Sequence, residues 1–185
     1  MYDYFYWDRL FSKKEIKDLN SLLKKYENKS FSDDPAKDDN DKSTKNVSNV
    51  KCVHWVNAKS NLKYLYDNIK ICNKENYGFN IFEKFDTDSV LYNTYEKNDD
   101  YGWHKDGSNN SNFDVKFTII INNSEHNYSG GDFELFTYGG AMKVPELNNV
   151  GTAIMFKSDI VHRVLPIKKG KRNSMVFFIE GDKFK

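Results

Sequence analysis

The sequence predicts a mainly β domain, a sandwich or barrel on which two N-terminal helices pack. Three observations predict it. Ser12-Lys-Lys-Glu15 is a capping-box pattern, and apolar residues follow it at helical spacing. From Tyr77 onward, short segments alternate apolar with polar residues, and turn residues separate them. Helical segments ahead of a run of strands point to helices segregated on one side of a sheet system.

The elements follow in order. Ile16, Leu19, Leu22, Leu23 and Tyr26 share one helical face, which sets a first helix over 13–26. Residues 28–49 are rich in Asp, Lys, Ser and Asn and read as a long loop, mobile when nothing is bound, with a lid as the functional reading. A short strand is expected at 51–56. Leu62, Leu65, Tyr66 and Ile69 give a second helix over 61–72. Strands are expected at 78–85, 89–95, 115–121, 133–136, 152–156, 161–165 and 174–180. Val115, Phe117, Ile119 and Ile121 would share one sheet face by the two-residue period. Gly130-Gly131, Gly139-Gly140 and Gly151 mark turns between strands. The chain reads as one domain over 1–185, with helical support and a mobile loop over 1–76 and the β core over 77–185.

Composition narrows the function. Lys and Arg number 28 and Asp and Glu 27, a net charge of +1, so no general electrostatic pull toward nucleic acid or anionic lipid exists. Only 38% of residues are apolar, yet 16% are aromatic. Each aromatic buries about 150–250 Å², so a core is still affordable. No apolar run approaches the roughly 18–20 residues that span a bilayer. MYDYFYWDRLF lacks the basic start and apolar stretch of a signal peptide, so a cytoplasmic location is expected, with Cys52 and Cys72 as reduced thiols.

The chemistry concentrates in Tyr101-Gly-Trp-His104-Lys-Asp106. A histidine and an aspartate two apart on a strand point to the same face and can converge on one ion. A third ligand has to come from elsewhere, and of the other histidines, His54, His126 and His162, the last sits in Asp159-Ile-Val-His162-Arg-Val-Leu-Pro166 at the start of a β-like run. Two histidines and one carboxylate make the facial triad of non-haem Fe(II) oxygenases. Alone, the His-x-Asp spacing is weak evidence. Arg172, ten residues after His162 and followed by Asn173-Ser174, strengthens it. If 161–165 and 174–180 are neighbouring antiparallel strands joined by the Lys168-Lys169-Gly170 turn, Arg172 returns beside the metal. There a guanidinium holds the far carboxylate of a dicarboxylic acid, with the Ser174 hydroxyl as a second donor.

With these residues in place the sequence resembles the 2-oxoglutarate- and Fe(II)-dependent oxygenases, in particular their prolyl 4-hydroxylase-like branch. The matching stretches run in the family order: Leu91-Tyr92-Asn93-Thr94-Tyr95, Gly102-Trp103-His104-Lys105-Asp106, Ile119-Ile120-Ile121-Asn122, Ser129-Gly130-Gly131-Asp132-Phe133-Glu134-Leu135, Gly151-Thr152-Ala153-Ile154-Met155-Phe156 and His162-Arg163-Val164-Leu165-Pro166-Ile167, with Gly170-Lys171-Arg172-Asn173-Ser174 after them. The resemblance implies a double-stranded β-helix (jelly roll) supported by the two helices. It implies His104, Asp106 and His162 as iron ligands, Arg172 with Ser174 on the 2-oxoglutarate C5 carboxylate, and Tyr95 lining the cosubstrate pocket, with Tyr92 a weaker match. It implies Fe(II), 2-oxoglutarate and dioxygen, with ascorbate as a further cofactor. Some relatives carry a tyrosine contact on the strand written here Thr118–Ile121. This chain has isoleucines there, which leaves Thr118 as the polar candidate.

The implied reaction decarboxylates 2-oxoglutarate to succinate and hydroxylates a substrate carbon. An intact Asp106 separates the chain from halogenases of similar fold, which replace this carboxylate. Phe178, six after Arg172, stands where nucleic-acid demethylases carry a second arginine, so a nucleic-acid substrate is not expected. The leading expectation is hydroxylation of a prolyl or other residue in a peptide or protein. The alternatives are a free amino acid or small metabolite as substrate, or a non-catalytic β-sandwich metal-binding module. Other residues take ordinary roles: Trp103 and Arg163 facing away from the metal, His54 as a sheet histidine, His126 exposed, and Asp132 and Glu134 on a solvent face.

Overall fold

The computed structural model describes residues 2–26, 45–46, 49–82, 89–107 and 112–183. The predicted lid at 28–49 lies almost wholly outside them. Three layers form: two helices, a large sheet and a small sheet. The large sheet has six strands in the order β1 (Tyr4–Trp7), β10 (Ala153–Lys157), β6 (Phe113–Asn122), β13 (Arg172–Asp182), β4 (Ser89–Tyr95) and β3 (Asn49–His54). The small sheet runs β2 (Lys45–Asn46), β5 (Asp100–His104), β11 (His162–Val164), β8 (Phe133–Thr137) and β9 (Gly140–Lys143). A third pair joins β12 (Ile167–Lys169) to β7 (Ser129–Gly130). Every pairing is antiparallel. This is the expected jelly roll.

Helix α1 (Lys13–Tyr26) begins at the predicted capping box. The Ser12 backbone N–H donates to Glu15 Oε2 at 2.8 Å, and the Glu15 N–H donates back to Ser12 Oγ at 3.3 Å. Helix α2 (Trp55–Asn76) is longer than predicted and starts directly after β3. Ile16, Leu19 and Leu23 of α1 and Leu62, Leu65 and Ile69 of α2 pack on Phe117, Ile119, Ile121, Met155, Met175 and Phe177 of the large sheet. The opposite face of that sheet puts Ile120, Ile154, Phe156 and Val176 against Phe133, Leu135 and Val164 of the small sheet. Strand β6 is therefore covered on both sides. That is why Lys116, Thr118 and Ile120, which alternate with the predicted apolar face over 115–121, are buried too. No helix among the described residues is long and apolar enough to cross a membrane.

Two expectations change. Residues 78–82 form no strand; they make a single bridge, Ile81 to Gly181, while Phe79 and Ile81 pack against the helix-side core. Residues 83–85 lie outside the described chain. Strands β11 and β13 are also not neighbours. β11 sits between β5 and β8 in the small sheet, whereas β13 sits between β6 and β4 in the large one. Between them, β12 pairs with β7 and a turn at Gly170 (φ 82°) carries the chain across from one sheet to the other. Arg172 still opens β13, but it approaches the site from the opposite sheet to His162.

Gly151 locks the N-terminal segment to the β core. Its carbonyl accepts the Phe11 N–H at 3.1 Å, and its own N–H donates to the Asn122 carbonyl at 2.8 Å. Its φ is 85°, and a Cβ there would run into the Phe11 carbonyl. Gly151→Ala is expected to cost more than about 2 kcal/mol in urea titration, because strain and clash add. Gly139→Ala, which meets open space, is expected to stay within about 0.5 kcal/mol of the parent.

Candidate metal centre

Register builds the centre. His162 of β11 pairs directly with His104, the last residue of β5, and their ring centroids lie 4.1 Å apart. Asp106 follows two residues beyond the strand. Its Oδ1 is 3.9 Å from His104 Nε2 and its Oδ2 is 3.4 Å from His162 Nε2. The three ligand atoms lie within 4.8 Å of one another, the one such convergence among the described residues. Two imidazoles and a carboxylate on one side of a site suit a divalent metal with open positions on the other.

Each ligand is oriented from behind. His104 Nδ1 is 2.8 Å from the Gly102 carbonyl, and His162 Nδ1 is 3.0 Å from the Ile160 carbonyl. A carbonyl only accepts, so both Nδ1 atoms carry a proton and both Nε2 atoms are turned toward Asp106. The Tyr101 ring stacks on His104 at 3.6 Å. Phe156 and Phe133 flank His162 at 4.9 and 5.5 Å. Burial pushes the His162 imidazole down to about 4, against the opposing pull of its Ile160 hydrogen bond. The ring is thus a neutral donor. The predicted sharing of one strand face by His104 and Asp106 is not what aims the carboxylate, because the strand ends at His104. A hydrogen bond does: Thr118 Oγ1 lies 2.6 Å from Asp106 Oδ2.

Arg172 is 1% exposed, and its guanidinium carbon lies 5.3 Å from the centroid of the Tyr95 ring, its partner across the β13–β4 pairing. Its Nε and Nη1 are buried and make no hydrogen bond. Burying such a donor unpaired is costly, and a carboxylate ligand is the group that removes the cost. Ser174 and Tyr95 are buried beside it. Burial pushes the Tyr95 phenol up to about 12, with the Arg172 charge and a Ser174 hydrogen bond pulling the other way. Asn93, opposite Ser174 on the same inner face, has a buried Oδ1 without a partner. Sequence reasoning missed Asn93, although counting back two from Tyr95 along β4 finds it.

The remaining candidates separate clearly. Tyr92 does not join the site: three residues from Tyr95 along a strand, it faces the helix-side core, and its OH accepts from Asn173 Nδ2 at 2.6 Å. The Thr118 hydroxyl is engaged with Asp106. Arg163 points outward as expected, onto Trp103 at 4.3 Å and Glu134 at 2.7 Å. Glu134, engaged by Arg163, is 6% exposed rather than solvated. Asp132 pairs with Lys143 at 2.7 Å, and His126 is exposed. Cys72 is a buried free thiol, which burial pushes up to about 11. The side chains of His54 and Cys52 lie outside the described residues.

Residues 90–180 match the family model of the 2OG-Fe(II) oxygenase superfamily. A PKHD-type hydroxylase from Janthinobacterium sp. is 33% identical over 100 residues, which cover 49% of this chain and 42% of that protein. The chain thus spans less than half the length of the curated relatives it matches. A prolyl-4-hydroxylase from Pseudomonas putida superposes with a TM-score of 0.70 at 13% identity, covering 99% of this chain and 95% of that one. A prolyl hydroxylase from Trichoplax adhaerens, in complex with a hypoxia inducible factor oxygen degradation domain peptide fragment, superposes with a TM-score of 0.70 at 16% identity, over 97% of this chain and 84% of that one. Sequence match and shared architecture meet on the same stretch, since 90–180 runs from the second residue of β4 into β13 and holds all three candidate ligands and Arg172. Residues 90–180 thus carry the sequence match to the 2OG-Fe(II) oxygenase superfamily, and the chain has the fold of the prolyl hydroxylases on which it superposes.

Proposed function

We propose that the chain is an Fe(II)- and 2-oxoglutarate-dependent dioxygenase that hydroxylates a prolyl or other residue in a peptide or protein. The observation that carries this reading is the pairing of a converged His104-Asp106-His162 cluster with a buried arginine whose Nε and Nη1 lack partners. A structural metal site needs no such arginine. A site that takes a dicarboxylic cosubstrate does. His104, Asp106 and His162 would hold the iron; Arg172, with Ser174 and Tyr95, would hold the far carboxylate of 2-oxoglutarate. When bound, that pair supplies the oxidation: 2-oxoglutarate and dioxygen give succinate and carbon dioxide, and one oxygen atom enters a substrate C–H bond. The chain's own part is to present two imidazoles and a carboxylate, neutralise the distant carboxylate and pack Phe133 and Phe156 against His162. A peptide as substrate is supported by the Trichoplax adhaerens relative, whose structure holds a peptide fragment.

The test is succinate formation from 2-oxoglutarate with Fe(II), scored against a panel of proline-containing peptides and free amino acids. Turnover is expected with a peptide and is expected to vanish in His104→Ala and after chelation of the metal. Turnover with a free amino acid alone would replace the peptide by a small substrate.

Arg172 yields a second expectation, read without catalysis. In the ligand-free protein, Arg172→Met removes an unpaired buried charge, so stability is expected to rise by about 1–3 kcal/mol. In the metal-loaded protein, 2-oxoglutarate is expected to add about 2.7 kcal/mol to the parent at 100-fold its Kd and to add markedly less to metal-loaded Arg172→Met at the same concentration. Thermal melts with and without ligand measure both.

A further inference from the structure

Asp106 stands beyond the end of β5, so no strand geometry aims its carboxylate. Two hydroxyls do this from the large sheet. Thr118 Oγ1 lies 2.6 Å from Asp106 Oδ2 and 3.1 Å from Ser158 Oγ. Thr118 is wholly buried and Ser158 is 1% exposed. The direction of the bonds follows from proton count. A carboxylate only accepts, so the single Thr118 proton goes to Asp106. Ser158 must then donate to Thr118. The contact to Asp106 is as short as charge-assisted O–H···O bonds are.

Both hydroxyls sit on rigid supports. Thr118 lies within β6, which is paired on both edges, to Phe156 of β10 and to Phe178 of β13. Ser158 directly follows β10, and its N–H donates to the Lys116 carbonyl of β6 at 3.2 Å. Oγ1 is thus fixed in space, and through it one oxygen of Asp106.

We propose that Thr118 and Ser158 are positioning residues for the metal centre. A directed relay, Ser158 to Thr118 to Asp106, holds the carboxylate in the orientation that faces the two histidines. This rests on reading His104, Asp106 and His162 as metal ligands. It also assigns Thr118 to the ligand carboxylate rather than to 2-oxoglutarate. Partners of this kind behind a metal ligand typically govern affinity by about 10–100-fold.

The test titrates Co(II) into the metal-free protein and follows binding by calorimetry and by the visible absorption of the bound ion. Thr118→Val keeps the side-chain shape and removes the hydroxyl; Thr118→Ser keeps the hydroxyl; Ser158→Ala removes the first link. Thr118→Val is expected to bind Co(II) at least about 10-fold more weakly and with an altered absorption band, Thr118→Ser within about 3-fold of the parent, and Ser158→Ala between them. Parent-like binding by Thr118→Val, or an equal loss in Thr118→Ser, overturns the relay. Should Thr118→Val fail to fold, Ser158→Ala decides: parent-like affinity and absorption there overturn it. A parent that binds no Co(II) in a manner abolished by His104→Ala overturns the metal reading itself, and the relay falls with it.

Discussion

The site hangs on one cross-strand pair, His104 opposite His162. Strand β11 is only three residues long, and a slip of one residue would turn Arg163 inward and His162 out. Its inner face is held by Leu135 on the other side of His162. Its outer face is held by charge: Glu134 Oε2 accepts from both Nε and Nη2 of Arg163 at 2.7 Å, and the guanidinium also lies over Trp103. Trp103 precedes His104 on β5, and Glu134 precedes Leu135 on β8. The outward partners of both neighbouring strands therefore clamp the residue next to His162. The Glu134–Arg163–Trp103 cluster touches no ligand atom, yet it makes the inward geometry the one available register.

The two sheets divide the work. The small sheet brings the histidines together. The large sheet, buried on both faces, carries Thr118 and Arg172 on strands that cannot shift without disturbing the helix-side core. Arg172 is the costly residue in this arrangement. A guanidinium that is 1% exposed with two unpaired nitrogens lowers the stability of the empty protein. The apolar faces of α1 and α2 offset that cost by covering the opposite side of the same sheet. In a chain of net charge +1, this buried cation is a local feature placed for a partner, and not part of a general field.

What was legible in the sequence follows from how local each cause is. Helix α1 was readable to the residue because its start is chemical, a Ser12–Glu15 capping box. Strand 89–95 was readable because alternation and flanking polar residues bound it. Strands β7 and β12 have two and three residues and exist only through pairing with each other across a long separation, so no local pattern marks them. The short gap between 161–165 and 174–180 suggested a hairpin; in a jelly roll the chain changes sheets there, and only topology reveals it. In the site, the His-x-Asp…His…Arg spacing pointed to residues that do converge, because that spacing is tied to chemistry. Thr118 was singled out as the polar residue on its strand, but its partner could not be read, since Asp106 is twelve residues away, beyond the end of β5. Asn93 lies two residues before Tyr95 and so shares its strand face, whereas Ser158 carries no spacing signal and becomes visible only when burial is known.

Preorganisation ties these features together. Three ligands come from three different settings: a strand end, a loop and a strand start. Each has its aim fixed by a group that is itself held. His104 has the Gly102 carbonyl and the Tyr101 ring, His162 has the Ile160 carbonyl and two phenylalanines, and Asp106 has the Thr118 hydroxyl. None of these supports needs a bound ion. A metal arriving at such a site spends little of its binding free energy on ordering side chains, so affinity is set by the donors themselves. The loop ligand is the exception that tests the principle. The histidines are aimed by local backbone within two residues, whereas Asp106 depends on a hydroxyl in the opposite sheet. The distance between the two sheets is therefore part of the coordination geometry, and whatever loosens the β6–β10 pairing loosens the carboxylate before it reaches either histidine.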